Sequence, residues 1–514
     1  MPLMTLPRPV GDLSTTPGTY RLAAGLHQRL MGFWLGFFFW ALYVQGPGLI
    51  GERGLTPLSA TLERATERLG GWAYFEAPSL LWISQEGWML TLLPWLGLVA
   101  SACLFVGLVP RIAAIASYLL VLSYSSSDFL ENGNQWFDWP FDRCALEVTF
   151  LTIFLVPGGW WVPFSRMPSP PTPWRWLVLW MLFRVHFGPG MAKLQEGSDN
   201  WFELEAVGHF METMPLPGLG AEWVAASPVW VWHAVTLGAM LVETLAPLLL
   251  LVPGRTRRWA SLAILWLMGG ILLTGNFRGF NYATIGLALF CWDDASLARL
   301  CRPLGRWVDR MAPWVRSPVR WRARAHALAA ALLFVVTWGP FVHGFGVDLA
   351  EHSRLYRRLQ RATRPLLLSH QYFMFHVVPE ERRAIVFQGS DDGETWIDYE
   401  FIGAPSNIDA SPRIFAPYQD YLGFMIWIGG LVDPKGKPAW VDRLVDGLLA
   451  GHEEIEALFR VVPFESPPRF VRAGLYRYAF SARENHGITD EVGRVWARAP
   501  IAYYVKPRSL EDGN

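Results

Sequence analysis

Charge is scarce in the first two thirds of this chain. Of its 514 residues only 17% are Asp, Glu, Lys or Arg, against roughly 25% in ordinary soluble domains. The shortage is one-sided, because 46 of these residues (13%) fall in 1–350 and 42 (26%) in 351–514. A soluble domain of 350 residues cannot be solvated on so few charges, so a cytosolic enzyme, a disordered chain and a fibrous repeat are all excluded. Net charge is missing as well. The 44 basic residues balance 44 acidic ones, which leaves no electrostatic footprint for nucleic acid. Lysine is nearly absent, with only Lys193, Lys435, Lys437 and Lys506. The cysteines (Cys103, Cys144, Cys291, Cys301) show no CxxC spacing and none lies in the C-terminal part, which rules out a disulfide framework and a thioredoxin-like motif. Residues 1–29 lack a signal-peptide pattern with a small-residue cleavage site, so the first apolar segment is expected to stay as an anchor. There is no GxSxG elbow, HExxH, phosphate-binding loop or strand-linked GxGxxG, and the 11 histidines are scattered without ligand spacing. No metal and no cofactor are expected.

What is present is apolar. Hydrophobic residues make up 52% of the chain, and mean hydropathy is +0.22. A helix needs about 20 apolar residues to cross a hydrocarbon layer of ~30 Å. Clear candidates are Leu30–Ile50, Trp88–Val109, Trp230–Val252, Trp259–Thr274 and His326–Phe345; shorter or more polar ones are Ile112–Ser126, Cys144–Val156, Trp174–Phe187 and Tyr282–Trp292. The expected fold is thus a polytopic α-helical membrane bundle of about nine spans. Trp160, Trp161, Trp174, Trp230 and Trp292 near segment ends suggest an aromatic belt.

Alternate connectors are basic. Arg8, Arg21 and Arg29 are followed by Arg111, by Arg166 and Arg175, by Arg255, Arg257 and Arg258, and by a loop with Arg299, Arg302, Arg306, Arg310, Arg316, Arg320, Arg322 and Arg324. The positive-inside rule places these on the cytoplasmic side. The outer set then comprises loops 51–87, 128–142 and 188–229, together with Gly275–Asn281. Residues 1–29 form a cytoplasmic segment, 30–345 the transmembrane domain, and 346–514 an extracytoplasmic domain.

That last domain reads as β-rich. Ala384–Phe387 and Trp396–Phe401 flank Ser390-Asp391-Asp392-Gly393-Glu394, and Asp-Gly between two such runs signals a hairpin because the turn needs φ > 0. Tyr476–Phe480 and Ile501–Val505 add strands, while Trp440–Leu449 and Glu453–Arg460 have helical spacing. An antiparallel sandwich with a helical insertion is expected. The Asp391-Asp392 pair is read as a solvated hairpin tip rather than a calcium site, since no EF-hand spacing follows.

Three ionisable residues fall inside candidate spans: Glu147, Arg184 and Glu243. Each costs at least ~2.5–3.5 kcal/mol to insert and should face the bundle and find a partner. Counted from the outer ends of their spans, Glu147 and Arg184 lie at the same depth, roughly 6 Å at 1.5 Å per residue, which predicts an ion pair between them. Glu243 lies roughly 20 Å deep and needs another partner or a proton. A helix-to-helix clamp is the favoured reading, with proton or substrate chemistry as the alternative. Lys193, the lone lysine of the membrane portion, could act as a base; snorkelling to headgroups is the commoner fate.

Polar and glycine-rich clusters gather on the outer side. They include Gly48–Gly54, Glu131–Trp136, Gly275–Asn281 and the stretch from Phe187-Gly188-Pro189-Gly190 through Lys193 and Trp201 to Glu212-Thr213-Met214-Pro215. Taken in order, Gly48-Leu49-Ile50-Gly51, Phe141-Asp142 with Glu147, Phe183-Arg184, Phe187–Lys193, Trp201, Glu212-Thr213-Met214-Pro215, Gly275-Asn276-Phe277, Asp293-Asp294-Ala295, Gly389–Trp396, Tyr399-Glu400-Phe401, Ala416-Pro417-Tyr418, Pro467–Arg472 and Tyr476-Arg477-Tyr478 resemble the lipase maturation factor family along nearly the whole chain. The resemblance implies a multipass protein that assists folding of secreted dimeric lipases, in the endoplasmic reticulum of eukaryotes. It also implies that the large outer loop and the C-terminal domain contact the client, through Lys193, Trp201, Glu212, Thr213, Pro215, Asn276 and Asn281. Two departures stand out. Phe210-Met211 precedes Glu212 with His209 shifted by one, and Asn200 stands before Trp201 where the family often has cysteine.

The leading reading is therefore a non-enzymatic maturation factor whose partners are a secreted client such as a lipase and membrane lipid. Arginine-rich, lysine-poor usage points to a bacterial inner membrane with the C-terminus in the periplasm, or to a lumenal C-terminus in a eukaryote. The rival is a membrane-embedded enzyme acting on a lipid or quinone-linked substrate, with Glu147, Arg184, Lys193 and Glu243 around a pocket. Its basis is a fold-level likeness to vitamin K-dependent carboxylases.

Overall fold

A computed structural model of the chain describes residues 18–129, 136–300, 303, 320–483, 487–488 and 493–513. Most of the Glu131–Trp136 cluster lies outside the described residues, as do Cys301 and the arginines at 8, 302, 306, 310 and 316.

A helix occupies each of the nine apolar segments. They are α1 (Arg21–Ile50), α2 (Gly87–Val106), α3 (Pro110–Phe129), α4 (Pro140–Leu155), α5 (Thr172–Ala192), α6 (Val229–Leu250), α7 (Arg255–Thr274), α8 (Phe280–Ala288) and α9 (Arg320–His343). Four of these, α1, α2, α6 and α9, are long and apolar enough to cross a membrane by length and composition. The reason the others look weak is their position. In α4 nearly every side chain is enclosed by protein, including Glu147, Thr149 and Thr152. An interior helix can carry hydroxyls if its own backbone satisfies them, and Thr149 and Thr152 donate to the carbonyls of Ala145 and Val148 one turn back at 2.7 Å each. In contrast α2, α6 and α9 expose apolar rows such as Leu92–Trp95–Val99, Leu237–Leu241–Leu245 and Leu328–Leu332–Val335. Those rows suit hydrocarbon.

Helix α1 is the hub, packing on α2 and α8; α5 packs on α6 and α9, and α6 on α7. Close approach depends on glycine at the end of α1. A Cβ at Gly48 would stand 2.1 Å from the carbonyl oxygen of Glu454, so only a bare backbone lets the C-terminal region press there. The belt is divided. Trp160, Trp161 and Trp230 are exposed, whereas Trp174 and Trp292 are buried. Trp174 stacks on Phe154 at 3.7 Å between centroids and donates to His326.

The C-terminal region holds an antiparallel four-stranded sheet in the order β2–β1–β5–β6, formed by β1 (Arg382–Ser390), β2 (Ile397–Asp398), β5 (Phe470–Phe480) and β6 (Trp496–Arg508). The hairpin is present, with Gln388 opposite Asp398, and Gly393 has φ 77°. Asp392 caps this exposed tip by accepting from Thr395 N at 2.7 Å and Glu394 N at 2.8 Å, which holds its carboxyl below the usual range.

Two expectations change. Trp396–Phe401 is not one strand: it breaks at buried Tyr399, and β3 (Glu400–Phe401) leaves to pair with β4 (Phe459–Val461) in a second, two-stranded sheet. Glu453–Arg460 is helical only to Glu456, because Phe459 is drawn into that pairing and stacks on Phe401 at 5.3 Å. The layer facing the main sheet is thus largely helical. It comprises α10 (Tyr421–Gly430), which lies on β1, and α11 (Ala439–Leu449), which lies on β5.

Candidate functional site

Most of the polar residues singled out by sequence converge on one seam, between the helical bundle and the C-terminal sheet region. Arg184 of α5 meets Glu147 of α4 as a two-pronged pair, and its Nη1 also donates to the carbonyl of His370 at 3.3 Å. The equal depth read from the two spans is therefore real contact. Both side chains are buried; the two Nη groups are satisfied by Glu147 and His370, while Nε has no hydrogen-bond partner among the described residues. His370, beyond the bundle, has its imidazole pushed down to about 3 by burial and by the nearby Arg143 and Arg184 guanidinium groups.

Lys193 does not snorkel. It is 3% exposed, its ammonium pairs with Glu243 of α6, and it lies 4.7 Å from the ring centroid of Trp201. The cause is the run Gly188-Pro189-Gly190, through which α5 continues instead of ending at Phe187. A Cβ at Gly190 would be 2.6 Å from the Glu243 carbonyl oxygen, so its absence lets the two backbones touch and brings the deep carboxylate within reach of the lysine. Trp201 in turn donates to Phe375 O at 2.9 Å, and Asn200 to Val378 O at 2.9 Å.

The Glu212–Pro215 turn is bound from the sheet side. Glu212 accepts from Phe480 N at 2.8 Å and from Arg483 at 2.5 Å. Arg382, buried at the start of β1, donates to the carbonyls of Glu212 at 3.2 Å, Met214, and Pro215 at 3.1 Å. Burial draws its guanidinium down to about 10. The Thr213 carbonyl accepts from the Trp427 indole. Asn276 is similarly placed: its Oδ1 accepts from Phe415 N at 2.8 Å and Ala416 N at 3.0 Å, and its Nδ2 donates to Arg413 O at 2.8 Å. Asn281 is the outlier. It sits inside the bundle, donating to Met268 O at 3.2 Å.

Sequence reasoning did not single out Gln45 or Asp420, and named Arg278 and Asp142 only within clusters, although all four close this seam. Gln45, in the last turns of α1, donates to Gln419 O at 2.5 Å and accepts from Tyr421 N at 2.9 Å. Arg278 pairs with Asp142 at the start of α4 and lies 4.9 Å from the ring centroids of both Tyr421 and Phe424. Asp420 caps α10 through Gly423 N at 2.8 Å and also accepts from Gly403 N at 2.8 Å; burial pushes its carboxyl up to about 6. A lone glutamine in a hydrophobic run was the one available signal for Gln45.

As chemistry, the arrangement is a fastening. The four residues proposed as catalytic form two separate ion pairs rather than one ring around a pocket, and no group of three or more potential metal ligands exists among the described residues. Lys193, Trp201, Glu212, Thr213, Pro215, Asn276 and Asn281 are all buried against other parts of the chain.

The comparisons with known proteins cover both sides of this seam. Residues 22–299 match the family model described as the lipase maturation factor transmembrane domain, and residues 368–506 the lipase maturation factor C-terminal domain. Lipase maturation factor 1 of Mus musculus is 29% identical over 96% of this chain and 88% of its own length. The Homo sapiens factors 1 and 2 are 27% and 26% identical, over 96% and 93% of the chain and 89% and 81% of their own lengths. No solved structure matches. With one family model covering the helical part, another the sheet region, and the relatives spanning the seam that joins them, the chain belongs to the lipase maturation factor family.

Proposed function

We propose that this chain is a membrane maturation factor that assists the folding of secreted lipases on the extracytoplasmic side. The observation that carries the reading is similarity running through both the helical and sheet-bearing parts to proteins named lipase maturation factors 1 and 2. Nine crossings with the arginine-rich connectors inside would bring the outer loops and residues 346–514 to the translocated side, which is the periplasm of a bacterium or the lumen of the endoplasmic reticulum. The seam supports a division of labour. Lys193, Trp201, Glu212, Thr213, Pro215, Asn276 and Asn281, expected at the client surface, serve in this proposal to hold that surface in shape. The client itself meets exposed groups of the outer loops such as Trp72 and Trp223, which are 70% and 66% exposed.

The enzyme reading is not favoured. A lysine base must have its nitrogen available, and that of Lys193 is committed to a carboxylate and an indole face.

Crosslinking followed by pull-down from membranes of the native host, with probes in the outer loop at 219–223, is expected to recover a secreted lipase. Deletion of the chain is expected to lower that lipase's activity far more than its synthesis. Recovery of no exported protein, with secreted lipase activity unchanged, would refute the proposal.

A further inference from the structure

An apolar cavity of about 320 Å³ opens beside the Lys193–Glu243 pair, under the outer loop and between α6 and α7. Most of its wall is aliphatic or aromatic, including Phe210, Phe277 and Phe375. Its size lies in the range of small-molecule sites, roughly 300–1,000 Å³. Water fills such a space poorly, because each molecule needs two to four polar partners and few are offered here.

The polar groups that do line it are specific. His186 is 2% exposed, and its Nδ1 lies 3.0 Å from the carbonyl of Leu182. A carbonyl only accepts, so Nδ1 carries the hydrogen, and Nε2 of the neutral ring is left as an acceptor. That Nε2 is buried and has no hydrogen-bond partner among the described residues. An unmet acceptor in an apolar enclosure is costly, on the order of 1–3 kcal/mol, and calls for a donor. The neighbouring charges cancel as a pair, so an anionic head would be repelled by Glu243 as much as it was drawn to Lys193.

With α7 read as a membrane span, the opening would face lipid. Of the lining residues, Trp266, Gly270 and Leu273 of α7 are exposed, and a Cβ at Gly270 would meet nothing within 4 Å. An occupant would therefore enter sideways from the bilayer.

We infer that this cavity binds a neutral, hydroxyl-bearing lipid of the acylglycerol type, its tail against the aromatic wall and its hydroxyl donating to His186 Nε2. The inference does not depend on the identity of the client, and the cavity lies beneath the loop that carries Trp223, reaching Val224. The lipid binds without chemical change and fills the wedge between α6 and α7 beneath the loop that carries Trp201 and Glu212.

The test uses the full chain in detergent, stripped of lipid and titrated with tritiated monooleoylglycerol. Saturable binding of one molecule per chain is expected. His186→Phe should weaken it roughly three- to tenfold, the worth of one buried hydrogen bond. Gly270→Leu, whose Cβ meets nothing within 4 Å among the described residues, should abolish it while the thermal midpoint stays within a few degrees; Ala239→Phe provides a second plug from α6. Oleate should bind markedly more weakly than the glyceride. Three results would each overturn the inference: no saturable binding by the wild type, equal binding of oleate, or binding indifferent to both plugs. A photo-crosslinker at position 270 that captured a polypeptide instead of lipid would likewise assign the cavity to a protein segment.

Discussion

Replacing Asn276 with alanine tests whether the seam, rather than a client, is what this residue serves. The carboxamide is 4% exposed and makes three short hydrogen bonds, accepting from Phe415 N and Ala416 N and donating to Arg413 O. Asn276→Ala removes all three partners at once. Each backbone group left unmet inside the protein costs about 1–3 kcal/mol, and partial access of water to residues 413–416 brings the sum to about 3 kcal/mol. At 1.36 kcal/mol per decade, local opening of the 413–416 segment should rise by roughly two orders of magnitude. Amide exchange followed by mass spectrometry reads this directly. Peptides covering 405–420 should lose protection about a hundredfold, while peptides from α4 and α5 keep theirs. Asn276→Asp keeps the acceptor for Phe415 and Ala416 and loses only the donor, so its effect should be smaller. If both variants exchange like the wild type and lipase activity nevertheless falls, Asn276 touches the client and the fastening argument fails.

Breaking the Lys193–Glu243 pair from one side strands a buried charge, so Lys193→Met alone should destabilise by about 3–5 kcal/mol and lower membrane abundance. Lys193→Met combined with Glu243→Leu should recover most of the thermal stability and abundance; a double variant as poor as the single would contradict the clamp. Asp420 supplies a pH test. Burial raises its carboxyl from 3.8 to about 6, so between those values the folded chain holds a proton that the unfolded chain has released. The stability contributed by Asp420 should therefore be fully present below pH 4 and be lost, by roughly 2–3 kcal/mol, as pH rises through 6. Thermal unfolding of wild type and Asp420→Asn across pH 4–7 checks the sign, and identical slopes would refute it.

The seam also explains why its residues read as a client surface from sequence. Clusters rich in Gly, Asn, aromatics and paired charge are what a binding surface needs, and docking one part of a chain on another draws on the same vocabulary. Glu212 is a case in point. Its carboxylate is used, but the user is Phe480 N and Arg483 of the same chain, 268 and 271 residues away.

Sequence alone determined what rests on local counting. The split in charge density separated the helical part from the sheet region, hydropathy located nine apolar helices, four of them long and apolar enough to cross a membrane, and Asp-Gly placed the hairpin. Helical rise matched Glu147 to Arg184 because both depths could be measured from nearby span ends. Tertiary structure decided everything that joins distant segments. It gave Lys193 to Glu243 through the bare backbone of Gly190, enclosed Gln45 and Arg382, and laid the apolar α10 across β1 as the sheet's facing layer. Burial and pairing belong to the packed chain as a whole: a side chain's solvent and partner are set by which remote backbone lies beside it, and no periodicity within a helix or strand records that neighbour.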